Sequence, residues 1–182
     1  LQDKRFILYA PTFRDSQNLN CYNIDFSRIA DEMSEKFGGE WIFLVRLHPT
    51  VRKKSNIFNR MNNGTYIDVT WYPDIQEIMT ITDVAITDYS SWIYDFVLTG
   101  RPGFIFATDV DQYNNERGFY YPLESTPFPI ATNNDELVDA IRAFNEDDYA
   151  KKLKEFLNGK GCIEDGHASS RVADKIVEIM EQ

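Results

Sequence analysis

Two adjacent hydroxyls, Ser90 and Ser91, separate an apolar, β-branched run (Asp83 to Thr87) from Trp92, Ile93, Phe96, Val97 and Leu98, which recur at helical spacing. Strand, hydroxyl-rich turn and helix in that order present backbone N–H groups and serine hydroxyls at the positive end of a helix dipole. That arrangement suits a phosphate. The same residues serve equally well as a helix cap. Asp95 lies four residues beyond Ser91, so it faces roughly the same way. A carboxylate there can accept hydrogen bonds from both hydroxyls of a ribose, or simply be a surface acid.

His48 ends the most apolar run of the chain, Trp41 to Leu47. A histidine in that place can donate to a phosphate oxygen or protonate a leaving group; the alternative is a structural hydrogen bond to a nearby loop. Arg46 alternates with it along the strand and so shares its face. Thr12 and Arg14 follow the first apolar run, in APTFRD. Arg52, Lys53 and Lys54 form a local cationic run, either a solvated surface or a contact for an anionic acceptor. Near the end, Asp165 and His167 sit in EDGHASSR, ahead of the last helical pattern; His167 either joins the site or packs the terminus.

The elements that must position these residues alternate in type. Strands are expected at Arg5–Ala10, Trp41–Leu47, Thr65–Val69, Asp83–Thr87, Gly103–Ala107 and, shorter, Pro129–Ala131. Helices are expected at Asp25–Phe37, Pro73–Thr82, from Trp92 to Leu98, and at Asp135–Phe144, Tyr149–Leu157 and His167–Met180. In the last, Val172, Ile176, Val177 and Met180 make an apolar face. Asp109 to Gly118 reads as a loop with a helical turn. Such alternation implies an α/β fold, a doubly wound, mostly parallel sheet with strand order near 3-2-1-4-5-6. Ligands of such sheets bind outside the carboxyl ends of the strands. That edge gathers Thr12 and Arg14, Arg46 and His48, Asp68 and Thr70, Thr87, Asp88, Ser90 and Ser91, and Thr108 and Asp109.

Composition narrows the function classes. A length of 182 residues suits one domain, and 43% hydrophobic with 14% aromatic residues suits a packed core. A net charge of −10 argues against nucleic acid as the main partner. No apolar run is long enough to span a bilayer. No leader is visible, and the chain opens almost directly on a strand, which suggests a piece of a longer protein. Cys21 and Cys162 fit no zinc spacing, so no metal and a reduced, cytoplasmic setting are expected. The glycine fingerprint of dinucleotide binding and the P-loop are both absent, and no cofactor is expected.

Six stretches occur together and in one order: LYAPTFRD (Leu8–Asp15), VRLHP (Val45–Pro49), YPDIQEIM (Tyr72–Met79), ITDYSSWIYDF (Ile86–Phe96), RGFYYPLE (Arg117–Glu124) and EDGHASSRV (Glu164–Val172). In these the chain resembles the C-terminal nucleotide-binding half of CDP-glycerol glycerophosphotransferases, the teichoic-acid polymerases and primases. The resemblance implies a Rossmann-like half of a GT-B architecture, with residues 1–182 as a single domain and an acceptor-side domain missing. It implies transfer of glycerol phosphate from CDP-glycerol, or of ribitol phosphate from CDP-ribitol, to a polyol-phosphate or lipid-linked acceptor, with release of CMP. It implies a cytoplasmic enzyme, peripheral on the membrane when whole. By the same resemblance His48 contacts the pyrophosphate as the catalytic residue, Ser90 and Ser91 hold a phosphate, Arg14 adds positive charge, Asp95 binds the ribose, and Asp165 with His167 closes the site. The alternatives are a nucleotide-sugar glycosyltransferase, a UDP-sugar epimerase-like domain, and a non-catalytic nucleotide-binding module.

Overall fold

In the computed structural model, residues 4–15, 20–54, 66–119 and 121–181 are described. Six parallel strands form one sheet: β1 (Lys4–Tyr9), β2 (Glu40–Val45), β3 (Tyr66–Asp68), β4 (Val84–Thr87), β5 (Gly103–Phe106) and β6 (Ile130–Ala131). Their order is β3-β2-β1-β4-β5-β6, as expected. β1, β2, β4 and β5 are central, and from Trp41 to Val45, Val84 to Thr87 and Gly103 to Phe106 every residue is buried. Burial on both faces explains why these strands read as continuous apolar runs and do not alternate.

Each helix has a local cause. In α1 (Phe26–Phe37) the Asp25 side chain accepts from the Arg28 amide, Phe26, Ile29 and Met33 enter the core, and the chain leaves through Gly38 at φ 70°. α2 (Ile75–Ile81) is capped by Asp74 and buries Ile78 and Met79; Pro73 stands just ahead of the cap. α3 (Trp92–Phe96) is shorter than the apolar spacing predicts, because the chain tightens into a 3-10 turn at Val97–Thr99 and stops at left-handed Gly100. α4 (Val110–Glu116) is a full helix where only a turn was expected. α5 (Asn134–Ala143) and α6 (Glu146–Gly159) begin at Asn133 and Asn145, whose side chains accept from Glu136 and Asp148 amides. α1 and α5 are joined by buried Glu32, which receives Arg142 at 2.8 and 2.9 Å.

α7 (Ala168–Met180) buries no residue. Its expected apolar face is present but uncovered, with Val172 59% and Met180 81% exposed. Among the described residues no helix is long and apolar enough to cross a membrane. Thr65 and Tyr120 lie outside the described residues, as do the side chains of Arg52, Lys53 and Lys54.

Candidate functional site

The site begins where β2 leaves the sheet. The Arg46 amide still bonds the Tyr9 carbonyl at 2.9 Å, but the Leu47 amide is taken by the Thr70 hydroxyl at 3.0 Å. That exchange turns the chain at the strand's carboxyl end and delivers His48 there. The Thr50 amide donates to His48 Nδ1 at 3.2 Å, and the ring stacks on Phe13 at 4.5 Å. With Nδ1 as acceptor, the neutral ring carries its proton on Nε2, free to donate outward. Burial against its neighbours, and then the positive charge of Arg117, hold His48 below its ordinary pKa.

The turn after β4 is tied to the turn after β1 by one carboxylate. Asp88 accepts from the Thr12 amide at 2.7 Å, the Tyr89 amide at 2.6 Å and Arg14 Nη2 at 2.9 Å. Arg14 continues to Asp109 through Nε at 2.7 Å and Nη2 at 2.9 Å, and to the Thr12 carbonyl through Nη1 at 2.6 Å. Burial alone would raise Asp109, but Arg14 and the Tyr89 hydroxyl outweigh it and hold the carboxyl below its usual range. Ala10 O receives both the Thr87 hydroxyl at 2.7 Å and Trp92 Nε1 at 2.8 Å.

Several residues that their type or place marked as ligand contacts are engaged within the protein. Arg14 is 4% exposed, and its charge is balanced by two carboxylates, so it stands behind the site as a strut. Thr87 and Asp88 are equally buried, and their side-chain oxygens are already bonded within the protein. Asp165 pairs with Arg171 at 2.6 Å and accepts the His167 amide at 2.9 Å; both residues are exposed at the head of α7 and line neither cavity at the serine turn.

The remaining candidates converge. A cleft of about 310 Å³ opens at the carboxyl ends of β1, β2 and β4, and Thr12, Arg46, His48, Ser90, Ser91 and Asp95 all line it. Ser91 makes no side-chain bond to the helix it precedes, so the capping role is not the one its hydroxyl takes. A helix as short as α3 contributes only a modest dipole, which leaves the serine hydroxyls and His48 as the principal donors. Sequence reasoning had not picked out Phe13 or Arg117 as site residues. Phe13 carries His48 on its ring, and Arg117 lies 4.6 Å from the same ring while pairing with Asp15 at 2.7 Å. The signal for Arg117 was its place in RGFYYPLE, a stretch that follows a helix and not a strand.

The chain is similar to proteins of known function. The teichoic acid poly(ribitol-phosphate) polymerase of Bacillus spizizenii is 35% identical over 188 residues, covering 100% of this chain and 29% of its own length. The teichoic acid poly(glycerol phosphate) polymerase of Bacillus subtilis is 31% identical, over 96% of this chain and 24% of its own. The solved wall teichoic acid polymerase TagF, an H444N form soaked with CDPG, superposes with a TM-score of 0.71 at 31% identity, over all of this chain and 43% of that one. The chain therefore spans well under half the length of these relatives. The model of the CDP-glycerol:poly(glycerophosphate) glycerophosphotransferase family matches residues 1–178, and the chain, with its six-strand parallel sheet and the motifs around its cleft, belongs to that family.

Proposed function

We propose that residues 1–182 act as one nucleotide-binding domain, which holds a CDP-activated polyol in the cleft between β2 and β4 and serves its transfer to a teichoic-acid-type acceptor. The observation that carries this reading is the convergence of His48, Ser90, Ser91 and Asp95 on one cleft from two separate strand ends. Family membership supports this donor class. In this reading Asp95 accepts the ribose hydroxyls and the serine turn holds the phosphate that bears the polyol. His48 Nε2 donates to the phosphate that departs with cytidine. An acceptor hydroxyl oxygen bonds to the polyol-bearing phosphorus and its proton is lost to solvent. The bond from that phosphorus to the bridging oxygen breaks, and its electron pair leaves with CMP. Positioning and charge stabilisation carry most of such a transfer.

CMP needs no proton to depart at neutral pH, since a phosphate monoester has a second pKa of about 6. A neutral His48 that only donates a hydrogen bond is therefore sufficient. Its pKa is lowered from the ordinary histidine value, which favours the neutral ring at and above neutral pH. The expected pH profile of kcat is accordingly flat between about pH 7 and 8.5 as far as this group is concerned. A tenfold fall per pH unit there would make His48 a true acid and contradict the neutral-donor role.

Replacing both serines tests the phosphate-holding turn. Ser90→Ala with Ser91→Ala is expected to weaken CDP binding tenfold or more, since hydrogen bonds to charged groups are worth about 1.5–3 kcal/mol each. Unchanged affinity with a stability loss of about 1 kcal/mol would return the turn to a capping role. Relatives named for ribitol phosphate and for glycerol phosphate match this chain at similar identity. The whole enzyme is proposed to work on the cytoplasmic face of the membrane, through parts of the longer relatives that this chain does not span.

A further inference from the structure

Three segments meet at His48. Its ring stacks on Phe13, from the turn after β1, with centroids 4.5 Å apart and planes 29° from parallel. Its Nδ1 accepts the Thr50 amide at 3.2 Å, from the 3-10 turn that follows β2. Arg117, on which α4 ends, sets its guanidinium carbon 4.6 Å from the centre of the same Phe13 ring. Asp15 fixes that guanidinium, since Arg117 Nη2 donates to both carboxylate oxygens at 2.7 and 2.8 Å. One short turn therefore carries both the ring on which His48 rests and the carboxylate that anchors the cation.

The arrangement bears on the charge of the ring. A diphosphate entering the cleft draws an imidazole toward its protonated form. An imidazolium would hold the donor and the departing CMP alike, and such uniform binding lowers no barrier. Two features oppose it. The Thr50 N–H points at Nδ1, so a proton added there would face another donor. The Phe13 ring already draws the Arg117 cation to its electron-rich face, which leaves less for a second cation. Burial against its neighbours is the larger reason that His48 sits below its ordinary pKa, and the charge of Arg117 is the second. Asp15 offsets only part of that charge, because it is 66% exposed against 34% for Arg117, and water screens it more. Among the described residues the other charged groups on this cleft are Arg46, at the end of β2, and Asp95, on α3. Arg52, Lys53 and Lys54 follow His48 closely, with side chains outside the described residues.

Resting on the reading of the cleft given above, we propose that Phe13 and Arg117 are positioning residues for His48: the Phe13 face fixes the plane of the imidazole, and the Arg117 charge opposes its conversion to imidazolium when a diphosphate enters. The test is an NMR titration of the two histidines of the chain, His48 being the signal lost in His48→Gln. In the unaltered protein the ring nitrogens should differ sharply in shift, Nε2 carrying the proton and Nδ1 bare. Phe13→Leu should reduce that contrast as the ring leaves its single orientation. Arg117→Gln should raise the titration midpoint of His48 by about 0.3–0.5 pH unit, and Arg117→Lys, which keeps the charge, should recover at least half of the gap. At about 1 M salt, where the Debye length is about 3 Å, the gap should shrink by half or more. With saturating CDP the midpoint should rise in both proteins and the gap should persist. A gap below about 0.1 pH unit, or one that Arg117→Lys does not narrow and salt does not screen, overturns the role of Arg117. An unchanged contrast between the ring nitrogens in Phe13→Leu overturns the role of Phe13. His48 signals that stay in place when CDP is added overturn the cleft reading, which the gap in the ligand-free protein does not depend on.

Discussion

His48→Ala is expected to lower kcat about a hundredfold or more in the active enzyme, the range seen when a positioned charge stabiliser is removed. The interaction forms most strongly as negative charge gathers on the departing phosphate, so its loss should appear in kcat more than in KM. Folding should survive. The side chain is exposed, and what it gives up is one amide bond from Thr50 and the stack on Phe13. An aromatic pair of that kind is worth about 0.5–1.5 kcal/mol. His48→Gln keeps a donor in the same place and should retain part of the binding. Near wild-type kcat in His48→Ala, measured with CDP-glycerol or CDP-ribitol, would remove His48 from the reaction.

Arg14→Met should be the most destabilising single change at the sheet edge. It strips the charge partner from Asp88, which is 2% exposed, and breaks the link to Asp109. Removing one partner of a buried ion pair costs about 3–5 kcal/mol, because the other charge stays buried without compensation. In a chain of this size that corresponds to a fall in Tm of roughly 10 °C or more. The pH dependence gives a second reading. In the native protein Asp109 is held below its usual pKa, so its contribution is complete at neutral pH and is lost as pH falls below about 4 toward the folded-state value. Burial already raises Asp88 in the native protein, and in Arg14→Met the loss of the guanidinium raises it further: the folded state holds the extra proton, and the variant loses stability as pH rises. The deficit should therefore be smaller at pH 5 than at pH 8, and adding Asp88→Asn should recover part of it. A loss under about 1 kcal/mol, with no pH dependence, would show that the pair does not brace the turn.

The case of Arg14 marks where sequence reading stops. A cation at the end of a first strand looks available to a ligand. Only the fold brings Asp88 and Asp109, 74 and 95 positions away, onto the same guanidinium. The strands were legible because β2, β4 and β5, and β1 from Ile7 onward, are buried on both faces, which leaves apolar runs between turn residues. α4 was not, since Tyr113 is its one buried residue and no stripe can be seen in VDQYNNE. Its natural cap, Asp109, also makes no capping bond, because that carboxylate faces Arg14. α7 shows the opposite failure. Its apolar stripe correctly signals a helix, yet periodicity says nothing of whether another surface covers it, and here none of the described residues does. At the site, the rule that ligands gather at strand carboxyl ends placed Thr12, Arg46, His48, Ser90, Ser91 and Asp95 on one edge, and these are the residues lining the cleft. Asp165 and His167 were picked out from their turn ahead of the last helix, which follows no strand, and they are not among the residues lining that cleft.

Calorimetric titration of the protein with CDP-glycerol, CDP-ribitol, CDP and UDP tests most directly whether the β2–β4 cleft takes a cytidine diphosphate carrying a polyol. Binding of CDP and of one CDP-polyol or both is expected, each at least tenfold tighter than UDP, with loss of that binding when Ser90 and Ser91 are both alanine. Equal or tighter binding of UDP, or CDP binding that ignores the serine changes, would contradict it.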